Sequence, residues 1–177
     1  MQKIFGFALL AAVCAAPLVM QAQAPKKVEV QLKSATGADA GKVTLTEQKD
    51  GVEFEVVLFG LEPGEHAIHV HQKPLCEGPA FTTAGGHFNP AGKKHGLHNP
   101  DGHHNGDLPL NLTADAEGKA HATFLAPDLS LDPVAANSMV ANGGTSIVVH
   151  AKADDMMSDP AGNAGPRIAC GVVAGIQ

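Results

Sequence analysis

The sequence predicts an all-β fold, an antiparallel sandwich or barrel of about eight strands with two long loops. Short segments along the chain alternate apolar and polar residues, which is the two-residue period of a strand with one buried face. Groups of Gly, Pro, Asn and Asp separate these segments at short intervals, as in sandwiches and barrels. Beyond residue 24 the sequence has no helical stripe of useful length.

The predicted strands follow one another along a single domain. They cover residues 28–32, 43–45, 52–56, 66–71, 108–112, 119–125, 146–150 and 167–176. Asp50-Gly51 is a strong hairpin signal between the second and third strands. The two long polar segments between strands, 72–107 and 154–165, are predicted to be functional loops.

The fourth predicted strand carries a pair of histidines. Ile68 and Val70 need the core, and so His69 and His71 are expected on the opposite, outward face. Two imidazoles at this spacing are neighbours and can share one metal. His66 falls on the Ile68 face or at the start of the strand, which makes it a poor candidate for the same site.

Residues 1–24 have the pattern of a secretory signal peptide. A basic start at Lys3 precedes an apolar run over 4–20 and a small-x-small end at 22–24. Cleavage after Ala22 or after Ala24 leaves a single domain, 25–177. The run is short for a membrane span, although a retained anchor is the alternative. We therefore expect an exported protein, periplasmic or extracellular, without stable membrane association.

Cysteine content and charge narrow the class of protein further. Removal of the signal peptide leaves Cys76 and Cys170, which predict one disulfide outside the cytosol, with two free thiols as the alternative. Such a bond would contribute at most about 4–5 kcal/mol in the chain-entropy model. The net charge is −6, and the few basic residues are scattered without Trp or Tyr. A nucleic-acid-binding surface is therefore not expected.

The segment 69–107 is unusually rich in histidine. It holds seven of the ten histidines, and Gly, Pro and Asn lie between them. Imidazole is the commonest metal ligand near neutral pH, and a metal can order a loop that has no apolar core of its own. The segment therefore predicts a metal site, although His98 and His103, taken singly, are better explained as solvated side chains.

Six segments in this order resemble the copper/zinc superoxide dismutase family in its exported bacterial form, over residues 28–177. They are His-Val-His at 69–71, Gly-His-Phe-Asn-Pro at 86–90, Lys-His-Gly at 94–96, His-Asn-Gly-Asp-Leu at 104–108, Val-Val-His-Ala-Lys-Ala-Asp-Asp at 148–155, and Gly-Asn-Ala-Gly-Pro-Arg-Ile-Ala-Cys-Gly at 162–171. The resemblance implies a Greek-key barrel and an oxidoreductase that uses copper and zinc.

The resemblance also implies a set of site residues. The copper ligands would be His69, His71, His87 and His150. The zinc ligands would be His87, His95, His104 and Asp107, with His87 bridging the two metals as imidazolate. Asp154 would accept hydrogen bonds from ligands of both metals, His69 and His95, and so orient them. Cys76 and Cys170 match the family's disulfide.

Superoxide is the substrate that the resemblance implies. One superoxide would reduce copper and leave as dioxygen, and a second would reoxidise copper and leave as hydrogen peroxide, with His87 taking up and delivering a proton. Because the chain is net negative, attraction of this anion requires a local positive field, and Arg167 matches the family's arginine beside the copper.

Some alternatives stay open at this point. A protein of another class, an exported copper- or zinc-binding protein without turnover, would be expected to lack Arg167 or His87. A copper-only dismutase would lack the zinc ligands. The short segment between His71 and Cys76 leaves the subunit interface open between a monomer and a homodimer. No role is assigned to His98 or His103.

Overall fold

The computed structural model describes residues 26–175, and this part of the chain forms nine strands and one short 3-10 turn. The strands are β1 (Lys27–Ser34), β2 (Asp39–Gln48), β3 (Gly51–Leu58), β4 (Gly64–His66), β5 (Ile68–His71), β6 (Leu112–Ala114), β7 (Ala120–Ala126), β8 (Gly144–His150) and β9 (Arg167–Ala174). The 3-10 turn is Thr82–Ala84. The predicted signal peptide lies outside the described residues. Between residues 26 and 175, no helix has the length and apolar character to cross a membrane.

The strands form a seven-stranded sheet in the order β5-β8-β9-β1-β2-β3-β7, together with a two-stranded sheet of β4 and β6. All strand pairs are antiparallel. Strands far apart in sequence lie side by side, with β9 next to β1 and β7 next to β3, as Greek-key connections require. The predicted fold class is confirmed.

The core follows the alternation of the early strands. Along β3, for example, Val52, Phe54, Val56 and Leu58 are buried while the residues between them are more exposed. Phe54 stacks on Phe124 of β7 with 5.2 Å between ring centroids. Side chains from both sheets join one apolar cluster, and each buried aliphatic or aromatic side chain contributes about 1.5–3 kcal/mol.

Two of the predicted strands differ from the structure. The strand expected over 66–71 is split at Ala67, whose N–H and carbonyl bond to Lys152 and His150 instead of continuing one ladder. As a result, β4 pairs with β6 and β5 pairs with β8. The strand expected over 108–112 begins only at Leu112 and runs to Ala114, because its partner β4 ends at His66, which pairs with Leu112.

The outward face of β5 is covered by the loop over residues 72–111. His69 and His71 point away from the core, as predicted, yet each is only 1% exposed. The predicted disulfide is present, with the Cα atoms of Cys76 and Cys170 5.6 Å apart, and it ties this loop to β9. Phe81 packs in a small second cluster beside Cys170. This covered face of the sheet holds the candidate site.

A candidate metal centre with two ligand sets

Two groups of buried side chains meet on the outward face of β5 and β8. We call them the strand cluster (His69, His71, His87 and His150) and the loop cluster (His87, His95, His104 and Asp107). Within each group, one nitrogen or oxygen from every member lies within 4.8 Å of the others. The structure thus brings together two ligand sets that share one histidine.

The strand cluster is positioned mainly by regular structure. His69 and His71 lie two residues apart on β5 and so share a face, and His150 ends the neighbouring strand β8. His87 comes from the covering loop and forms an isolated bridge with His71. Its ring centroid is 4.1 Å from that of His69 and 4.9 Å from that of His71.

Hydrogen bonds decide which nitrogen of each ring is free. His71 Nδ1 lies 3.0 Å from the Gly85 carbonyl, and His150 Nδ1 lies 3.1 Å from the Gly165 carbonyl. His69 Nε2 lies 2.8 Å from Asp154 Oδ2. Carbonyl and carboxylate oxygens accept, so each of these ring nitrogens donates and the opposite nitrogen of each ring carries the lone pair.

The free nitrogens of the strand cluster are buried and unpartnered. Among the described residues, His69 Nδ1, His71 Nε2, His87 Nε2 and His150 Nε2 have no hydrogen-bond partner. Buried polar atoms almost always have a partner, and here one unpartnered nitrogen comes from every member of one cluster. A metal ion bound by all four would satisfy them together, and an all-imidazole set suits copper.

Burial keeps these rings neutral. It is the largest cause that lowers the pKa of His71 to about 2 and the pKa values of His87 and His150 to about 4. It also lowers the pKa of His69, against the hydrogen bond to Asp154. Neutral imidazole is the form that binds a metal, so the strand cluster is ready for one at neutral pH.

The loop cluster is organised around a carboxylate. Asp107 Oδ1 lies 2.8, 2.9 and 3.2 Å from Nδ1 of His87, His95 and His104. The other oxygen, Oδ2, accepts from the backbone N–H groups of Gly96 and His104. Three imidazole nitrogens and one carboxylate oxygen make a four-ligand set that suits tetrahedral zinc.

The charge of the loop cluster differs from that of its neighbour. Burial is the largest single influence on His95 and lowers its pKa, but hydrogen bonds to Asp107 and Asp154 outweigh it and raise the pKa to about 9. Hydrogen bonds from His104, His87 and His95 outweigh burial at Asp107 and hold its pKa well below the ordinary value. The metal-free loop cluster is therefore an ion pair, and a metal must displace a proton from it.

Two residues connect the clusters. His87 directs Nε2 to the strand cluster and Nδ1 to the loop cluster. Asp154 accepts from His69 Nε2 through Oδ2 and from His95 Nε2 through Oδ1, at 2.8 and 3.0 Å. One imidazole and one carboxylate thus span both ligand sets.

Comparison with known proteins identifies the family of this fold and site. A family model described as copper/zinc superoxide dismutase matches residues 39–173. The chain belongs to the copper/zinc superoxide dismutase family.

Relatives and solved structures support this membership. Copper/zinc superoxide dismutase 2 of Aquifex aeolicus is 45% identical over 148 residues, covering 83% of this chain and 86% of that protein. The copper/zinc superoxide dismutase of Caulobacter vibrioides is 45% identical over 144 residues, covering 80% and 82%. The structure of the Brucella abortus enzyme matches with a TM-score of 0.68 at 33% identity, covering 84% of this chain and 99% of that one.

A mutant of a superoxide dismutase-like protein from Bacillus subtilis also matches. Its crystal structure has a TM-score of 0.80 at 40% identity and covers 83% of this chain and 97% of its own. Family membership makes this protein an oxidoreductase that acts on superoxide, with copper and zinc as its metals.

Arg167, at the start of β9, places a positive charge near the strand cluster. Its two terminal nitrogens donate to the carbonyls of Phe81 and Gly85, both at 2.6 Å. The Gly85 carbonyl also accepts from His71 Nδ1, so one oxygen orients both residues. The charge of Arg167 contributes to the lowered pKa values of His71 and His150, and burial lowers its own pKa.

The loop over residues 154–165 packs against the loop over residues 72–111, which we call the histidine-rich loop. Gly162 has φ +61°, and a Cβ there would lie 1.7 Å from Asp154 Oδ1 and 2.7 Å from His95 Nε2. The Asp159 carboxylate accepts from the N–H of His95 and pairs with Lys94. Asp154 thus contacts a histidine of each cluster. Glycine is required at position 162, because any side chain there would overlap the Asp154 carboxylate.

The remaining histidines lie outside both clusters. His66 is buried between the carbonyls of His150 and Glu62, 2.8 and 2.7 Å from its ring nitrogens. His98 and His121 are exposed, and His103 pairs with Asp128. The structure thus leaves His98 and His103 out of both ligand sets.

The sequence could not reveal the carbonyl partners of the site. The carbonyls of Gly85 and Gly165 orient His71 and His150, and the carbonyl of Phe81 holds Arg167. Every residue has a carbonyl group, so no residue type marks these positions. The positive φ of Phe81, uncommon for a non-glycine residue, is likewise visible only in the structure.

Proposed function

We propose that the strand cluster holds the copper of this dismutase and that the loop cluster holds its zinc. The observation that carries the proposal is the set of four buried imidazole nitrogens that converge in the strand cluster and have no partner within residues 26–175. Copper bound there would supply one-electron oxidation and reduction, whereas zinc has no redox chemistry. The loop cluster, with its carboxylate, is the better match to zinc.

The overall reaction converts two superoxide anions and two protons into dioxygen and hydrogen peroxide. In this proposal Arg167 attracts and orients the anion. The chain has a net charge of −6, so the attraction must come from a local positive field. The two carbonyl contacts direct the guanidinium beside His71 and hold it in place.

His87 is the proposed proton carrier. Its Nδ1 faces Asp107 at 2.8 Å, while its Nε2 is buried in the strand cluster without a partner. This nitrogen has one lone pair, which can take a metal or a proton but not both, so His87 would carry a proton at Nε2 only while that atom binds no metal. Asp154 and the Gly85 and Gly165 carbonyls act as positioning groups that hold the other rings in one tautomer.

Metal analysis of the purified protein, paired with superoxide consumption, tests the proposal. About one copper and one zinc per chain are expected. Activity should disappear when copper is removed and return when copper is added. If both metals are bound but no copper-dependent activity is measured, the chain is a metal-binding protein without turnover and the proposal is wrong.

We further propose that the protein is exported and that its first 24 residues are removed, after Ala22 or Ala24. The disulfide between Cys76 and Cys170 supports export, because such bonds persist outside the reducing cytosol. Mass spectrometry of the protein from its native cells, after fractionation, measures the mature N-terminus. A full-length chain in the cytosolic fraction would contradict this proposal.

We also propose that the mature chain does not associate stably with a membrane. A monomer and a homodimer both agree with the described surface, on which Val57, Phe59 and Leu125 are about 40% exposed. Sedimentation of the mature protein, with and without lipid vesicles, measures both properties.

A further inference from the structure

A second group of polar side chains lies on the outer side of the histidine-rich loop, apart from both clusters. It borders a surface cavity of about 220 Å3 that is lined by Ala91, Lys93, Gly102, His103, Asn105 and Asp128. His103 directly precedes His104 of the loop cluster. The proposed function uses none of these side chains.

His103 and Asp128 have the spacing of two ligands of one ion. His103 Nε2 lies 3.0 Å from Asp128 Oδ2. The nitrogen-to-oxygen distances of the loop cluster, 2.8–3.2 Å, fall in the same range. Two donors about 2.0–2.1 Å from a tetrahedral zinc ion would be about 3.3 Å apart, so a small movement accommodates the ion.

Asn105 lines the same cavity and has an oxygen atom that could serve as a third donor. Its Nδ2 donates to the backbone carbonyl of Asp128 at 3.0 Å, which fixes the orientation of the amide because a carbonyl only accepts. Its Oδ1 is buried and has no partner among the described residues. Such an atom requires an explanation, and a cation next to His103 and Asp128 would provide one.

We propose that His103, Asp128 and Asn105 form a third metal site, which takes a divalent transition metal of the zinc type. The donors are one imidazole nitrogen, one carboxylate oxygen and one amide oxygen, which is a borderline set that zinc accepts. With three protein donors at a partly exposed position, the site binds more weakly than the loop cluster. It lies beside His104, and a metal bound here also ties the histidine-rich loop to the segment after β7.

Lys93 makes it possible to test whether the site binds a cation or an anion. It lines the same cavity, and its stem lies against Gly102, where an added Cβ would lie 3.2 Å from the lysine Cδ. A positive side chain lowers the affinity of a neighbouring site for a cation and raises it for an anion. Removal of this charge therefore strengthens a metal site and weakens an anion site.

Titration of the copper- and zinc-loaded protein with zinc, monitored by isothermal calorimetry, tests the inference. The loaded protein should bind one further zinc ion per chain. His103→Gln and Asp128→Asn should each lower that affinity by at least about tenfold, while superoxide consumption is unchanged. His98→Gln is the matched control, because His98 is exposed and does not line the cavity.

Lys93→Gln completes the design and should tighten the binding of the further zinc ion. Three results would each overturn the inference: no further zinc bound by the loaded protein, zinc binding that survives both His103→Gln and Asp128→Asn, or weaker binding in Lys93→Gln. In the first case His103 and Asp128 form only a hydrogen bond that holds the loop.

Discussion

The strand cluster and the loop cluster share His87, yet their side chains are held in position in different ways. In the strand cluster the backbone of β5 and β8 places three of the four rings, and four nitrogens remain unpartnered. In the loop cluster no regular element places His95 or His104, and the Asp107 carboxylate gathers the rings through hydrogen bonds.

The difference shows how each cluster is stabilised when no metal is bound. Rigid strands can hold lone pairs that face one another, because the free energy of folding comes from the core beneath them. Buried polar groups in a loop need partners, because an unpaired polar group is costly to bury. In the loop cluster the Asp107 carboxylate is that partner, and it forms an ion pair with His95 when no metal is bound. Burial therefore lowers the pKa values in the first cluster, while the carboxylate raises the pKa of His95 in the second.

Substitution of one ligand from each cluster is expected to have the largest effect. His71→Gln removes a nitrogen of the strand cluster only, so superoxide consumption should fall to the level of the copper-free protein while zinc stays bound. His95→Gln removes a nitrogen of the loop cluster only, so zinc should be lost first. Metal content and activity of both variants measure this separation, and equal loss of both metals in each variant would contradict it.

Asp154 tests whether the clusters are coupled. Asp154→Asn keeps the shape of the side chain but removes the charge that accepts from His69 and His95. Loss of such an orienting partner typically costs about 10–100-fold in metal affinity. The affinities for copper and for zinc should both fall, measured by competition with chelators. A fall for one metal alone would show that Asp154 serves only one cluster.

Arg167 contacts the surroundings of the strand cluster only. Arg167→Gln should lower kcat/KM by roughly tenfold, at the low end of electrostatic steering effects, and should flatten the dependence on ionic strength. Arg167→Lys keeps the charge but cannot form the pair of hydrogen bonds that the guanidinium donates to the Phe81 and Gly85 carbonyls. A kcat/KM for Arg167→Lys between those of the unsubstituted protein and Arg167→Gln would show that both the charge and its exact position contribute. The zinc content should not change in either variant.

The pH dependence of stability should have opposite slopes for the two clusters in the metal-free protein. Between pH 6.5 and about 4 the unfolded chain protonates His87 and His150 while the folded protein does not, so acid destabilises the fold. Between pH 6.5 and about 9 the folded protein keeps a proton on His95 that the unfolded chain has lost, so stability falls as pH rises. Each slope is about 1.4 kcal/mol per pH unit and per proton.

Denaturant titrations of the metal-free protein across this range measure both slopes. His150→Gln should remove the share of one proton from the acid slope, about 1.4 kcal/mol per pH unit, and leave the alkaline slope unchanged. His95→Gln should flatten the alkaline side only. If one substitution changes both sides equally, the two clusters titrate as one unit.

A pair of glycines gives the smallest expected effect and the best-matched control. Gly92 and Gly162 have φ values of +62° and +61°, but a Cβ at Gly92 would meet nothing within 4 Å. Gly92→Ala should cost only the backbone strain, about 1 kcal/mol. Gly162→Ala should cost more and also weaken metal binding, because its Cβ would displace Asp154. Unfolding free energies and zinc affinities of the two variants measure the difference.

The sequence by itself determined the fold class, the disulfide and the types of ligand. Alternation along residues such as Val52, Phe54 and Val56 marks the strands, because a half-buried strand needs an apolar side chain at every second position. The six segments from His69 to Gly171 identify the family. These features depend on side-chain type and spacing, which a sequence records directly.

The tertiary structure alone decided the state and surroundings of those ligands. The loop over residues 72–111 buries His69 and His71, and the break at Ala67 divides one predicted strand between two sheets. The Gly85 and Gly165 carbonyls select which nitrogens of His71 and His150 face the strand cluster. The pairing of His103 with Asp128 joins residues 25 positions apart. Backbone carbonyls are the same at every position, and the burial that shifts a pKa depends on segments distant in the chain, so neither can be read from local sequence.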